Sequence, residues 1–248
     1  MVFFTKGQKN AQIPANFLYG VVEQVSFPVL SKLQDNEERL NDVYNKYVRS
    51  ASVVIFFALF TIAALAKPLV IFLYSHKWDG AIIFLQLFSL QNMFYHVHAV
   101  NWNFILVKGR TDIALKKELI NKGIRFAILA FTLMISPVAI AIGMIIGSVF
   151  DLLVNSIFTK KITGIGVGEQ FNDFIVYFVI ACVANLPAYL LTFAHLAPLV
   201  TLIVGGFISV VCYSLIMWIR NDHYFFMLLR LTPLAKVPAI NKILSTKN

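Results

Sequence analysis

Long apolar runs, separated by short polar segments, dominate the chain. A helix that crosses a membrane needs about 20 mostly apolar residues, each adding about 1.5 Å along its axis. We interpret seven runs as membrane-spanning helices, labelled spans A to G. They cover residues 13–33 (A), 51–74 (B), 80–107 (C), 115–135 (D), 138–158 (E), 174–193 (F) and 199–219 (G). The pattern thus predicts an all-α, polytopic transmembrane bundle over residues 1–219, followed by a cytoplasmic tail, residues 220–248, that opens with a short amphipathic piece.

The apolar run over residues 124–158 is too long for a single span. As one helix it would extend for about 50 Å, whereas the hydrocarbon core of a bilayer is about 30 Å thick. Ser136 and Pro137 lie near its middle, and proline disfavours helical backbone at the residue before it. We therefore expect span D to end and span E to begin at this dipeptide.

The basic residues indicate the orientation of the bundle. Seventeen of the 21 Lys and Arg residues fall in the A–B, C–D and E–F segments and in the tail. Lys and Arg concentrate in the cytoplasmic loops of membrane proteins. We therefore expect these segments and the C-terminus to lie in the cytoplasm, and Met1 to lie outside.

The composition also favours a membrane protein. Hydrophobic residues make up 59% of the chain and charged residues 13%, and the mean hydropathy is +0.77. Soluble proteins have about 45–50% apolar and about 25% charged residues. The net charge of +9 does not indicate nucleic-acid binding, because no basic face with interleaved aromatic residues lies outside a span. Membrane lipid is therefore an expected partner, and nucleic acid is not.

Span C carries an unusual number of amide and imidazole side chains. They are Gln91, Asn92, His96, His98, Asn101 and Asn103. On a helical wheel, Asn92, His96 and Asn103 share one side with Ser89, whereas Gln91 belongs to a second, looser group. Polar side chains within spans face the bundle interior or a water-filled cavity. We expect a cavity here, although ordinary hydrogen bonds between helices are the alternative.

Four carboxylate and amide positions outside span C bear on function. Glu23, with Gln24 beside it, is a candidate for a proton-linked or ion-linked site in span A, but it is equally compatible with a position near a membrane surface. Asp151 and Asn155 lie four residues apart, and hence on one face of span E. We expect them to serve as interfacial caps near its cytoplasmic end.

The chain shows no arrangement typical of an enzyme. It has no nucleophile–base pair, no glycine-rich phosphate loop and no paired carboxylates. His96 and His98, two residues apart, point to different faces and have no neighbouring carboxylate. Cys182 and Cys212 lie within spans without ligand spacing. We therefore expect no enzymatic activity, no metal site and no cofactor.

Three ordered segments resemble the polysaccharide-export flippases, the lipopolysaccharide-biosynthesis branch of the MATE-like superfamily. FPVLSKLQD covers residues 27–35, KWDGAIIFLQ covers residues 77–86, and KGRTD covers residues 108–112. The resemblance extends over residues 3–122, and beyond them only the hydropathy is similar. Members of this family have about twice as many residues, arranged as two helical bundles around a central cavity. The chain resembles the second bundle, so an N-terminal half is expected upstream as a partner.

The resemblance implies translocation of undecaprenyl-diphosphate-linked oligosaccharide units across the bacterial inner membrane for surface polysaccharide assembly. It suggests a substrate path for the sugar, and we assign to it Gln91, Asn92, His96, Asn103, Glu23 and Gln24. Lys108 and Arg110, at the cytoplasmic end of span C, are candidates to attract the diphosphate, with membrane topology as the alternative role. A MATE-type drug or cation antiporter and an inactive membrane fragment remain alternatives. The sequence does not identify the sugar, the coupling ion or the oligomeric state.

Overall fold

The computed structural model describes residues 2–34, 36–194 and 196–231, without the side chains of residues 21–23, 25 and 231. The described residues form helices and contain no strand. These are α1 Val2–Ser31, α2 Glu37–Ala64, α3 Ala66–Tyr74, a 3₁₀ turn His76–Ala81, α4 Ile82–Asn92, α5 Tyr95–Val107, α6 Thr111–Thr132, α7 Pro137–Thr163, α8 Val167–Leu191, α9 Pro198–Arg220 and α10 His223–Leu231. The predicted all-α bundle is confirmed. The tail from residue 232 onwards lies outside the described residues.

Four helices in the described part of the chain are long and apolar enough to cross a membrane, judged by length and composition. They are α2, α7, α8 and α9, which correspond to spans B, E, F and G. Spans A, C and D also contain helices, but α4 and α5 are short, and α1 and α6 carry many polar residues. That these three segments cross the membrane stays a prediction.

The predicted separation of spans D and E occurs where expected. Helix α6 ends at Thr132, and α7 begins at Pro137. The Ser136 hydroxyl accepts a hydrogen bond of 3.1 Å from the Ala139 amide, so Ser136 caps the new helix while proline occupies its first position. The residues at the start of α7 therefore explain why the helix begins there.

Span C differs from the prediction because it is two helices rather than one. Helix α4 ends at Asn92 and α5 begins at Tyr95, and the Met93 amide donates to the Leu90 carbonyl three residues back. The tighter turn changes the rotation of α5 relative to α4. A continuous wheel over residues 89–103 therefore does not describe which side chains lie together.

The largest core cluster lies where α2 meets α5 and α8. Phe56 of α2 contacts Phe94, just before α5, and Phe174 and Phe178 of α8, all as ring pairs. Helix α9 packs on α8 and α3. On the other side, α1 packs on α4 and α5, whereas α7 packs on α4, α5 and α6. Helices α4 and α5 therefore lie between α1 and α7.

Candidate functional site

A polar cavity of about 460 Å³ is lined by residues of α1, α4, α5, α6 and α7. Its floor is formed by the end of α4 and the start of α5, and its walls are formed by α1 on one side and by α6 and α7 on the other. The lining residues are Gln8, Gln12, Asn16, Tyr19, Gly20, Phe88, Gln91, Asn92, Tyr95, Arg125 and Met144. We call this cavity the amide groove, because five of its side chains are carboxamides.

Three of these amides come from a stripe on α1. Gln8, Gln12 and Asn16 are spaced four residues apart, which places them on one side of a helix. Ile13 and Phe17, on the neighbouring face, are 70% and 74% exposed, as expected for side chains that contact lipid. The spacing is visible in the sequence, but these three amides were not among the residues predicted for the substrate path.

Gln91 and Asn92 lie beside a cavity, and their assignment to the substrate path stays a prediction. Both side chains are partly exposed and line the amide groove. The backbone carbonyl of Asn92 accepts a hydrogen bond from the Tyr19 hydroxyl, which joins α1 to the end of α4. The carboxamides of Gln91 and Asn92 are thus presented beside the amide stripe of α1.

His96 and Asn103 lie elsewhere, in the packed interior. His96 is buried, with its ring nitrogens 2.9 Å from the Ser52 hydroxyl and 2.8 Å from the Met93 carbonyl. The Asn103 amide donates a hydrogen bond of 2.8 Å to the Ser26 hydroxyl. Neither side chain lines the amide groove, unlike those of Gln91 and Asn92. The assignment of His96 and Asn103 to the substrate path stays a prediction.

The second polar group of span C is also divided. The Asn101 carbonyl oxygen accepts a hydrogen bond of 2.5 Å from the Tyr44 hydroxyl in the core. The His98 ring lies 2.5 Å from the amide nitrogen of Asn155 on α7. Hydrogen bonds between helices, the alternative considered from the sequence, therefore account for these two residues.

Glu23 and Gln24 are in α1, after the last residue of this helix that lines the groove, Gly20. The side chain of Glu23 lies outside the described residues. Gln24 is exposed and is absent from the residues that line the amide groove. Their assignment to the substrate path stays a prediction.

An ion pair between α6 and α7 includes Arg125, which lines the groove, and Asp151, which does not. Arg125 Nε donates a hydrogen bond of 2.6 Å to Asp151 Oδ2, and its Nη2 atom contacts the same oxygen. Asp151 lies about 21 Å from the start of α7 and about 18 Å from its end. It is therefore a buried residue in the middle of the helix, and the expectation of an interfacial cap is wrong. Helix α7 is long and apolar enough to cross a membrane, and charged groups within membrane-spanning helices are costly and are typical of functional sites.

A smaller cavity of about 180 Å³ adjoins the amide groove between α6 and α7. The two cavities share Gln91, Arg125 and Met144. The rest of the small cavity is mostly apolar, with Ile128, Leu129, Thr132, Ile140, Gly143 and Gly147. We call it the apolar cleft. Arg125 therefore lies where an amide-lined space meets a hydrocarbon-lined one.

Lys108 and Arg110 lie at the turn between α5 and α6, and each is paired with a carboxylate. Lys108 Nζ is 3.1 Å from Glu37 Oε1, and Arg110 forms two 3.1 Å hydrogen bonds with Asp112. The Arg110 guanidinium lowers the pKa of the Asp112 carboxyl. Neither cation lines the two cavities described above. Their attraction for a diphosphate stays a prediction.

The described residues contain no group of three His, Cys, Asp or Glu side chains that can hold a metal ion. The site offers hydrogen-bonding amides, one guanidinium and an apolar cleft. These groups are complementary to a ligand that has polar, anionic and hydrocarbon parts.

The chain is similar to proteins of polysaccharide biosynthesis. Residues 1–83 match a family described as "Polysaccharide biosynthesis protein". An "Uncharacterized membrane protein in cps region" from Klebsiella pneumoniae is 26% identical over 168 residues, which cover 67% of this chain and 35% of the relative. The chain is related to polysaccharide biosynthesis membrane proteins. "Lipopolysaccharide biosynthesis protein WzxC" from Escherichia coli K12 is 23% identical over 185 residues, covering 74% of this chain and 37% of that protein.

The resemblance of this chain to polysaccharide biosynthesis proteins, inferred from three short segments, is thus confirmed. The apolar helices agree with a membrane protein. The chain spans little more than a third of the length of the two relatives. No solved structure matches it significantly.

Proposed function

We propose that this chain forms the substrate-facing bundle of a flippase for lipid-linked oligosaccharides. The substrate is an undecaprenyl-diphosphate-linked sugar unit, moved across the bacterial inner membrane for assembly of surface polysaccharide. The amide groove is the observation that carries the proposal: five carboxamide side chains from α1 and α4 surround one space within a membrane bundle. The similarity to WzxC supports it.

Carboxamides suit a carbohydrate because each offers both a carbonyl acceptor and an NH₂ donor. Sugar hydroxyls also donate and accept, so a rotating or sliding sugar keeps hydrogen bonds as it moves past the stripe of Gln8, Gln12 and Asn16. Tyr19 and Tyr95 add aromatic surface to the same wall and floor. Such a lining favours transient binding along a path rather than one tightly fixed pose.

The proposal includes a second bundle. Transporters of this kind move substrate by rocking one helical repeat against another around a central site. The chain spans little more than a third of its relatives, and its groove has α1 and α6 as separate walls. We propose that an N-terminal half completes the cavity, and that both the A–B loop and the C-terminus lie in the cytoplasm, as the distribution of basic residues indicates.

The groove favours a carrier over the alternatives. A drug or cation antiporter is expected to place carboxylates in its cavity, whereas the described lining of the amide groove contains amides and an arginine. An enzyme is expected to cluster acid, base or nucleophilic groups near one membrane face. The amide groove and the apolar cleft instead suit binding without bond cleavage.

The test replaces groove amides in the full-length protein at its own chromosomal locus. The double variant Gln12→Ala/Asn16→Ala is expected to reduce surface polysaccharide by at least about tenfold at unchanged protein level, since several hydrogen bonds of about 1 kcal/mol are lost along the path. Lipid-linked units should accumulate on the cytoplasmic face. The measurement combines immunodetection of polysaccharide with mass spectrometry of the extracted lipid.

The control is Ile13→Ala/Phe17→Ala, which alters the lipid-facing side of the same helix segment. Export equal to wild type in this variant, together with loss in the amide variant, supports a sugar path on α1. Normal export in the amide variant contradicts the proposal. Loss of drug resistance with normal polysaccharide identifies the protein as an antiporter instead.

A further inference from the structure

Arg125 occupies a boundary between two chemically different spaces. It lines the amide groove together with Gln91 and Met144, and the same three residues also line the apolar cleft. The cleft continues along α6 and α7 through Ile128, Leu129 and Ile140. A ligand that spans both spaces therefore passes the guanidinium at the point where its polar part ends and its hydrocarbon part begins.

The guanidinium is only partly used by its protein partner. Both of its described hydrogen bonds, from Nε and Nη2, go to the single oxygen Oδ2 of Asp151. The Arg125 side chain is 57% exposed and the Asp151 side chain is 5% exposed. A guanidinium has five N–H donors in a planar fork that fits phosphate oxygens. The two described hydrogen bonds of Arg125 do not use Nη1, and the residue lines both cavities.

Asp151 is itself incompletely satisfied. Its Oδ1 atom is buried and lacks a hydrogen-bond partner within the described structure. Lys117 and Glu118 of α6 belong to the same charged region, and His98 of α5 bonds Asn155, one turn further along α7. Lys117 Nζ is also buried without a hydrogen bond, 4.4 Å from the centre of the Trp102 ring. Two cations, Arg125 and Lys117, thus lie near Asp151, and only Arg125 forms a described hydrogen bond with its carboxylate.

A second arginine–aspartate pair shows what a purely structural contact looks like in this protein. Arg49 of α2 bonds Asp173 of α8 through Nε at 2.8 Å and Nη2 at 2.5 Å. The exposed fractions are 38% and 6%, and Arg49 also lies over the Tyr224 ring. Unlike Arg125, Arg49 lines neither the amide groove nor the apolar cleft. The two pairs therefore share their bonding and differ in their access to a ligand.

We propose that Arg125 binds the diphosphate of a prenyl-linked substrate, with the prenyl chain in the apolar cleft, the sugar in the amide groove and Asp151 as an internal counterion that the diphosphate displaces. This inference rests on the proposed function. It explains why one cation stands at the junction of two cavities, and why its acidic partner lies in the middle of a membrane helix.

The experiment is calorimetric titration of the full chain in phosphatidylcholine nanodiscs with farnesyl diphosphate, inorganic pyrophosphate and farnesol. Asp151→Asn removes the competing charge and is expected to tighten farnesyl diphosphate binding by about three- to tenfold, whereas Arg125→Gln weakens it by at least about tenfold. Asp151→Ser and Arg125→Lys are second variants of each site. Serine is expected to act as asparagine does, and lysine to give intermediate affinity, because it keeps the charge without the fork.

The matched control is Asp173→Asn, which frees Arg49 and is expected to leave diphosphate binding at the wild-type value. Farnesol, which lacks the anion, should respond to none of these changes, and pyrophosphate should bind more weakly than farnesyl diphosphate. In phosphatidylglycerol nanodiscs the gain in Asp151→Asn should persist. Its loss there identifies ordinary lipid phosphate as the occupant and overturns the proposal.

Three further results overturn it: unchanged affinity in Arg125→Gln, no gain in either Asp151 variant, or an equal gain in Asp173→Asn. Failure of the proposed function gives a different result, because normal export in Gln12→Ala/Asn16→Ala removes the sugar path without affecting diphosphate affinity in nanodiscs.

Discussion

His96 on α5 and Ser52 on α2 meet in the packed interior, with 2.9 Å between the ring Nε2 atom and the hydroxyl oxygen. The other ring nitrogen, Nδ1, lies 2.8 Å from the Met93 carbonyl and donates to it, since a carbonyl only accepts. The imidazole therefore ties the break between α4 and α5 to α2. This contact gives His96 a structural role, whereas Gln91 and Asn92 of the same segment line the amide groove.

Replacing this imidazole should cost stability rather than substrate contact. His96→Ala is expected to lower the free energy of unfolding by about 1–3 kcal/mol, because it leaves buried polar groups without partners and opens a cavity. Thermal denaturation of the detergent-purified chain measures the loss. Asn92→Ala, which alters a partly exposed groove residue, should leave the melting temperature unchanged. A stable His96→Ala protein that fails to export polysaccharide contradicts this assignment.

Gly143 allows the close approach of α7 to α6 beside the apolar cleft. A Cβ atom there would lie 2.8 Å from Thr132 Cγ2 and 3.0 Å from Ile128 Cγ2. Gly143→Ala is therefore expected to destabilise the chain by about 1–3 kcal/mol, measured by thermal denaturation. Gly206→Ala is the control, since no atom lies within 4 Å of its added Cβ, and Thr132→Ser should partly rescue the loss. Equal melting temperatures for both alanine variants contradict the packing argument.

Lys117 is fully buried, and its ammonium group has no hydrogen-bond partner in the described structure. The nearest carboxylate oxygen, Oε1 of Glu118, is 4.0 Å away. An apolar residue of similar size avoids the cost of desolvating the charge. Lys117→Met is therefore expected to melt at the wild-type temperature or above it, and Lys117→Glu well below it. A large loss of stability in Lys117→Met would show that the ammonium is held by a partner.

Lys108 and Arg110 test where a diphosphate is recognised. Each is paired with a carboxylate at the α5–α6 turn, and exposed pairs of this kind contribute about 0–1 kcal/mol. Lys108→Gln/Arg110→Gln is expected to leave farnesyl diphosphate affinity within about twofold of wild type in the nanodisc titration. A tenfold loss would move the recognition site from Arg125 to the cytoplasmic mouth predicted from the sequence.

The sequence predicted the helical bundle and the separation of α6 from α7 because both depend on local properties. Apolar length fixes a span, and Ser136 with Pro137 fixes a helix start regardless of tertiary context. The breaks at Leu65 and Met93 were not predicted. The break at Leu65 has a local cause, because Pro68 cannot donate to the Ala64 carbonyl four residues back. The break at Met93 has no proline or glycine beside it.

Half of the candidate site was predictable in the same sense. Gln91 and Asn92 were found because they lie at the end of α4, before the break changes the rotation, whereas His96 and Asn103 lie after it. The α1 stripe of Gln8, Gln12 and Asn16 follows a four-residue spacing that is visible in the sequence, but it was not predicted, because Gln8 and Gln12 precede span A. Arg125 and Asp151 lie on different helices, so their ion pair depends on how α6 packs against α7 and could not be predicted from local sequence.

The most direct test of the amide groove is cysteine labelling from the aqueous phase. Single cysteines at Gln12, Asn16, Asn92 and His96 are introduced into a chain in which Cys182 and Cys212 are alanine, and a membrane-impermeant maleimide is applied to reconstituted vesicles of both orientations. We predict that positions 12, 16 and 92 react, that position 96 stays protected, and that farnesyl diphosphate slows labelling at position 92. Protection at 12, 16 and 92, with labelling at 96, would contradict a water-filled groove between α1 and α7.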